Sequence, residues 1–483
     1  MPEVAGRDRT DDGFVRPDIR LPSRLVHGCM KIIQAGQRVH RAFLLSLRMI
    51  LFHSIRLILL LVLAAGGCAS ARPLALGYAE VAGASPTLAA SVEIGDKERS
   101  DGRFIGLAIS GGGSRAAVFG AAVLKELERL GLLQQVDVIS AVSGGALPAA
   151  YYALDGYKAI DFSKGAIDRM GRDLQSQVRS RWLAPGNVLR YWFTDKTKSD
   201  TVIEMLDDEL FQRATYADLN PARPKLLLNA ANALNGEPFI IADESFASLG
   251  LSLAPFSIAR AVYMSAAYPG VLEPLALHNG ASTGGGQART PALLYDGGAV
   301  DNLGIKTLLT VLNRAAEREP LESQFPNGCL VISVDASPRF SRDDGQPLPA
   351  ATVLLKSHRR EVLERVGLPA DRQDRARFGG FAVGTENRQG SCRIWHLALR
   401  QLSDSDPLGA KVTSIATTLK IDAEDREALV TAAKRLVEES RAEAYRSGDL
   451  AQFLRSAIIG ESFEGSASSV TQPLRASRDQ WNP

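Results

Sequence analysis

Two short apolar runs constrain this chain more than anything else in it. Each ends in a glycine-rich turn, and each turn opens a stretch of helical spacing. Phe104–Ile109 reads as a buried strand and runs into Gly111-Gly112-Gly113-Ser114-Arg115. Residues 116–130 then place Val118, Ala122, Leu127 and Leu130 at helical spacing, with Gly131 as a stop. Residues 136–142 form a second, β-branched run that ends at Ser143-Gly144-Gly145. Residues 144–154 read as a helix whose first turn or so holds Pro148, where proline is tolerated. Strand, glycine turn, helix, strand, serine turn, helix is the order of a βαβ unit in an α/β protein with a mainly parallel sheet.

Further strand candidates are 225–229, 239–242, 292–295 and 329–334, and 258–267 reads as a buried helix before Pro269-Gly270. Residues 280–290 form a glycine-rich loop by composition. From about residue 345 Arg and Asp become dense. There 393–399 reads as a strand, and 422–446 as an amphipathic helix with Leu429, Ala433 and Leu436 on one face. No internal repeat is present.

At 483 residues the chain has room for one large α/β domain or two to three smaller ones. A formal net charge of +2 makes no case for nucleic-acid binding. The four cysteines, Cys29, Cys68, Cys329 and Cys392, form no CxxC pair and no His/Cys cluster, so no metal site is expected.

The apolar run 57–65 is too short to span a bilayer comfortably and fits the hydrophobic region of a signal peptide. Small residues lead from it to Cys68, which looks like the lipid-modified cysteine of bacterial lipoproteins, although Ala65 stands where that signal usually has Leu. An uncleaved N-terminal anchor, or a signal cut elsewhere, is the alternative. The first 48 residues make an overlong front end for such a signal, and a start at Met49 gives a compact one. The expected organisation is therefore an N-terminal extension and signal (1–68), a tether rich in Ala, Gly, Ser and Pro (69–103), a catalytic domain (104–345) and an α-rich C-terminal extension with a loose end (346–483). The catalytic part is expected outside the cytoplasm, in the cell envelope facing the periplasm, where Cys329 and Cys392 are able to form a disulfide.

Ser143 is the candidate nucleophile, since a tight strand-to-helix turn exposes a hydroxyl that a neighbouring base can activate. Its turn matches G-x-S-x-G except that Ala141 stands at the first glycine. The bland alternative is a capping serine. Gly111, Gly112, Gly113 and Ser114 precede a helix, and amides there can hold an anion, aided by the helix dipole. The stretch lacks the Lys-Ser/Thr ending of a P-loop and the G-x-G-x-x-G spacing of a dinucleotide site. Arg115 either braces that loop or steers an anionic head group. Asp296, in Tyr295-Asp296-Gly297-Gly298, is the candidate base, with Asp335 as a competitor and an Asp turn cap as the plain reading. Of the histidines beyond residue 100, His278 precedes Asp296, His358 lies in a basic helix-like stretch and His396 sits inside a strand-like run. None stands on a glycine-rich loop, so a direct Ser–Asp pair accounts for more of the chain than a Ser-His-Asp triad does.

These motifs, in this order, resemble the patatin-like phospholipases. The family's G-G-G-x-R oxyanion loop is matched by Gly111-Gly112-Gly113-Ser114-Arg115, and its nucleophile turn at Ser143 and Gly145. Its Asp-Gly-Gly motif is matched at Asp296, Gly297 and Gly298. The stretches from Ala266 to Val271 and from Ala299 to Gly304 also look like the family, and the resemblance spans roughly 104–340. It implies a three-layer α/β/α sandwich, a Ser–Asp dyad with neither metal nor cofactor, and hydrolysis of phospholipid or lysophospholipid acyl esters. A membrane surface is then the implied partner. A transacylase on the same dyad and an inactive membrane-tethered binding lipoprotein are the alternatives. The aromatic-rich stretch from Trp182 to Phe193 reads either as ordinary core or as a lid and interfacial contact.

Overall fold

A computed structural model describes residues 52–54, 56, 77–81, 94, 100–194, 196–279, 292–339, 350–369, 375–385, 388–448 and 450–458. Met49, the apolar run 57–65, Cys68, the 280–290 loop and the chain beyond 458 lie outside these described residues. The chain divides into two units, 1–75 and 76–483, and the sheet with its flanking helices belongs to the second.

Among the described residues, ten strands form one sheet. They are β1 (Gly77–Val81), β2 (Phe104–Ile109), β3 (Val138–Val142), β4 (Lys225–Asn232), β5 (Pro238–Ile241), β6 (Leu275–Asn279), β7 (Ala292–Asp296), β8 (Cys329–Asp335), β9 (Phe378–Thr385) and β10 (Arg388–Ala398). Their order is β1-β6-β7-β4-β3-β2-β8-β10-β9, with β5 paired to β4. The central five, β4-β3-β2-β8-β10, are mutually parallel. β5, β7 and β9 run antiparallel to the strands beside them.

The alternation of side chains along these strands explains the layers. On β2, Ile105, Leu107 and Ile109 enter one apolar core, while Phe104 and Ala108 enter the other. β8 divides in the same way, Leu330, Ile332 and Val334 against Cys329 and Val331. Strands buried on both faces read as continuous apolar runs, which is how they stand in the sequence. The first core is closed by α1 (Gly113–Arg129), α2 (Ala146–Ala153), α3 (Ile258–Ala266) and α6 (Ala423–Ser447). The second is closed by α4 (Ile305–Arg318) and α5 (Ala350–Arg365). The result is a three-layer α/β/α arrangement around a mainly parallel sheet, as expected.

The region after 345 does more than append helices. β10 pairs with β8 and β9 with β10, so it extends the sheet itself. Helix α6 starts at the N-cap Asp422, whose side chain accepts the Asp425 amide at 2.8 Å, and it buries Leu429, Ala433 and Leu436. Within the expected tether, Gly77–Val81 forms a strand beside β6. Cys329 and Cys392 form a disulfide between β8 and β10.

Candidate active site

The sheet register brings distant residues together. Val142 at the end of β3 lies opposite Asn229 of β4, and Asp296 at the end of β7 lies opposite Ala230 on the other edge of β4. The residue after Val142 is Ser143. Residues 153 positions apart therefore flank one strand at the same level, and the Ser143 hydroxyl donates to Asp296 Oδ2 at 2.7 Å.

The Ser143 backbone has φ 52°, the left-handed region that side chains usually avoid. A hydrogen bond holds it there: the Ser143 amide donates to Ser265 Oγ at 2.9 Å, and the Ser265 hydroxyl donates to the Asn229 carbonyl at 2.7 Å. Asn229 in turn donates through Nδ2 to Ser140 Oγ and to the Ala141 carbonyl, and accepts from Thr307 Oγ1. This buried polar network locks β3, β4, α3 and α4 around the turn. Ala141 is fully buried near the end of β3 and is not among the residues of positive φ, so this position of the motif accepts a methyl group. Gly145 follows the serine where a side chain would collide with the Ser110 carbonyl.

Asp296 is 5% exposed. Its other carboxylate oxygen accepts the Gly298 amide at 2.7 Å. Burial pushes its pKa up to about 6, against the Ser143 hydroxyl and the Gly298 amide, which both favour the charged form. A carboxylate so placed is poised to take a proton near neutral pH. Gly297 lies where a Cβ would meet the Asn229 carbonyl at 2.2 Å.

The glycine loop divides in two. The Gly111 amide donates to the Asn302 carbonyl at 2.9 Å and the Ser114 amide to the Thr418 carbonyl at 2.8 Å, so both are already engaged. Among the described residues the amides of Gly112 and Gly113 meet no acceptor, and both lie at the N-terminus of α1. The loop is wedged tightly between its neighbours. A Cβ on Gly113 would come within 2.3 Å of the Thr418 carbonyl, and one on Gly144 within 2.1 Å of the Gly113 carbonyl. The glycine loop and the serine turn are thus in backbone contact.

Arg115 braces this loop and does not face solvent. It is 1% exposed, and its Nε donates to the Ala336 carbonyl at 2.7 Å. Its Nη1 donates to the Ile415 carbonyl, and its Nη2 to Thr417 Oγ1 at 3.0 Å. Residues 415–418 therefore form a strap across the glycine loop, contributed by the C-terminal region. The sequence carries no local signal for the strap, because Thr418 meets Ser114 across some three hundred positions. Ser265 and Asn229 also escape sequence reading, although Ser265 adjoins the family-like stretch beginning at Ala266.

Asp335 is occupied elsewhere. Arg359 Nε donates to it at 2.8 Å and His396 Nε2 lies 3.8 Å away. Burial raises its carboxyl, but Arg359 and His396 outweigh that and hold it well below the usual carboxylate range. His396 Nδ1 lies 3.1 Å from Ser333 Oγ, so this imidazole belongs to the Asp335 cluster and not to the serine turn.

A serine on a strained strand-to-helix turn, hydrogen-bonded to a buried carboxylate beside a helix N-terminus, is an arrangement in which a hydroxyl can be activated as a nucleophile. Residues 107–309 match the family model described as patatin-like phospholipase. Similarity to individual proteins is more distant. The chain is 28% identical over 202 residues to the uncharacterized protein YqhO of Bacillus subtilis, a match that covers 41% of this chain and 64% of that protein. Human GIVD cytosolic phospholipase A2 aligns with 75% of this chain and 62% of its own at 14% identity and a TM-score of 0.45. VipD from Legionella pneumophila aligns with 74% and 67% at 13% identity and a TM-score of 0.32. The chain thus spans less than two thirds of the length of YqhO and of the human enzyme.

Proposed function

We propose that this protein hydrolyses fatty-acyl esters of phospholipids or lysophospholipids through Ser143 and Asp296. The single observation that carries the reading is the 2.7 Å hydrogen bond from the Ser143 hydroxyl to Asp296 Oδ2, beside the amides of Gly112 and Gly113, which meet no acceptor among the described residues. The family of residues 107–309 supports a lipid substrate.

In this mechanism Asp296 takes the Ser143 proton as Oγ attacks the ester carbonyl carbon. The carbonyl π electrons move to oxygen, and the amides of Gly112 and Gly113, with the dipole of α1, hold the resulting oxyanion. Collapse of the intermediate expels the alkoxide, which receives the proton from Asp296 and leaves as the alcohol. Asp296 then deprotonates a water that attacks the acyl-serine, and the fatty acid departs as Ser143 regains its proton. The Ser143 turn keeps its strained φ throughout because the Ser265 hydroxyl holds its amide.

An oxidising compartment also belongs to this reading. Its support is the Cys329–Cys392 disulfide together with the signal-like apolar run before Cys68.

The test is covalent labelling by a fluorophosphonate, together with fatty-acid release from defined lipids. Wild type is labelled and releases fatty acid; Ser143→Ala does neither, and Asp296→Asn is labelled much more slowly. Near-wild-type turnover in Ser143→Ala sinks the assignment.

A further inference from the structure

The helix Pro185–Phe193 is built inside out. Its half-buried positions carry polar groups: Asn187 Nδ2 donates to the Arg181 carbonyl at 2.8 Å, and the Tyr191 hydroxyl lies 2.7 Å from Thr201 Oγ1. Its solvent side carries Val188, Leu189, Trp192 and Phe193, with Phe193 81% exposed. These four stand at positions i, i+1, i+4 and i+5, so they share one face. Leu183, at the end of the preceding helix Leu174–Leu183, is exposed beside them in sequence. No residue of the helix Pro185–Phe193 is fully buried. A helix that points its polar atoms at the protein and its apolar atoms at water lacks a core to explain it.

Among the described residues, the unpaired charges of this helix and the one before it are of one sign. Arg179 and Arg190 are exposed, and among the described residues neither has an ion-pair partner. Lys198 lies over the Trp182 ring at 5.7 Å. Exposed Trp, Phe and Leu flanked by unpaired arginines suit the boundary between acyl chains and anionic head groups.

The helix is also coupled to the dyad. Tyr191 meets Thr201 on the helix Lys198–Leu206. On that same helix Ser199 Oγ accepts from the Tyr263 hydroxyl of α3 at 2.8 Å. Two residues further along α3, Ser265 holds the Ser143 amide.

We infer that the helix Pro185–Phe193 is the surface by which this protein sits on an anionic lipid bilayer, with Val188, Leu189, Trp192 and Phe193 entering the acyl region. The inference rests on the proposed lipid substrate, but its test does not require turnover. It is made on the full chain carrying Ser143→Ala, mixed with vesicles of phosphatidylglycerol and phosphatidylcholine whose acyl chains carry bromine, a short-range quencher of tryptophan. Trp192 enters the bilayer, so part of the emission is quenched, and that part disappears in Trp192→Phe. The Leu189→Asp/Phe193→Asp double variant loses the same quenching and needs about a hundredfold more lipid to reach it, the scale of two apolar side chains kept out of the bilayer. Pure phosphatidylcholine vesicles quench less.

On the active chain, the double variant loses hydrolysis of vesicle lipid but keeps hydrolysis of a monomeric short-chain ester. Quenching that survives Trp192→Phe unchanged overturns the inference, as does a dimer in light scattering that the double variant dissolves, because a second copy then covers the face. Loss of short-chain hydrolysis in the double variant also overturns it, making the helix part of the reaction site. If the Ser143→Ala chain shows the Trp192 quenching while wild type hydrolyses no lipid, the docking surface stands and the proposed reaction falls.

Discussion

At Ser143 and Asp296 the decisive quantity is where the proton sits. Burial raises the Asp296 pKa from the ordinary carboxylate value to about 6, so the base is largely ionised at pH 7 and neutralised a unit or two below. In the proposed mechanism only the ionised form accepts the serine proton. The expected kcat/KM therefore rises with pH through about 6 and reaches a plateau above it, measured on a soluble ester to avoid vesicle effects. The same shift acts on stability with the opposite sign. A carboxyl whose folded pKa lies above its unfolded value binds more protons when folded, so this group destabilises the fold at pH 7 and ceases to as pH falls through about 6 towards 4. Asp296→Asn removes the buried charge and can still accept the Gly298 amide at Oδ1. Its melting temperature at pH 7 should equal or exceed that of wild type, and its advantage should shrink as the pH is lowered to 4. An inactive Asp296→Asn protein that melts well below wild type at pH 7 contradicts this account of the site.

At the scale of elements, the glycine loop 111–114 is held by three partners: Asn302 after β7, the strap 415–418, and the serine turn itself. Arg115 ties the strap to the loop, so Arg115→Ala leaves the Ile415 and Ala336 carbonyls without their donor and frees the amides of the loop to wander. The expected result is a kcat for a soluble ester lowered about 10–100-fold with KM little changed, since the loss falls on oxyanion donors worth about 3–4 kcal/mol each. Thr417→Val, which removes one hydrogen bond of the three, should fall between. Gly113→Ala is harsher, because its methyl group meets the Thr418 carbonyl at 2.3 Å on a residue with φ 59°. These elements also show what a sequence discloses. The glycine loop, the serine turn and the Asp-Gly-Gly turn were legible because each is local: an apolar strand followed by residues that a tight turn or close approach requires. The strap was not, since its residues contribute only carbonyls and one hydroxyl, groups that most other residue types would supply equally well. The outward face of Pro185–Phe193 was half legible. Its aromatics read more naturally as core, because hydrophobic spacing alone does not say which side of a helix meets the protein. β9 is hard to read for a different reason: it carries Gly379, Gly380 and Gly384, which weaken a strand signal.

Across the whole molecule, the C-terminal region is part of the same sheet that carries the dyad, and the Cys329–Cys392 disulfide fastens β10 to β8. Position decides what that bond does. Cys329 begins β8, whereas the glycine loop follows the last residue of β2, a strand parallel to β8 and in register with it from Phe104 opposite Cys329 to Ile109 opposite Val334. The bridge and the oxyanion loop therefore lie at opposite ends of the sheet, about 15–20 Å apart along the strands. A cross-link at the far end restrains the unfolded chain without touching the reacting atoms. With a sequence separation of 63 between the cysteines, the chain-entropy model assigns it about 4 kcal/mol. The Cys329→Ser/Cys392→Ser variant is accordingly expected to melt several degrees lower than oxidised wild type, while its kcat on a soluble ester at 25 °C stays within about twofold. Reduction of wild type with dithiothreitol should reproduce the melting shift and should add nothing to the variant. If removing the bridge instead lowers kcat at a temperature where the protein is fully folded, then the sheet transmits strain from β10 to the strap and the glycine loop, and the C-terminal strands are part of the catalytic apparatus.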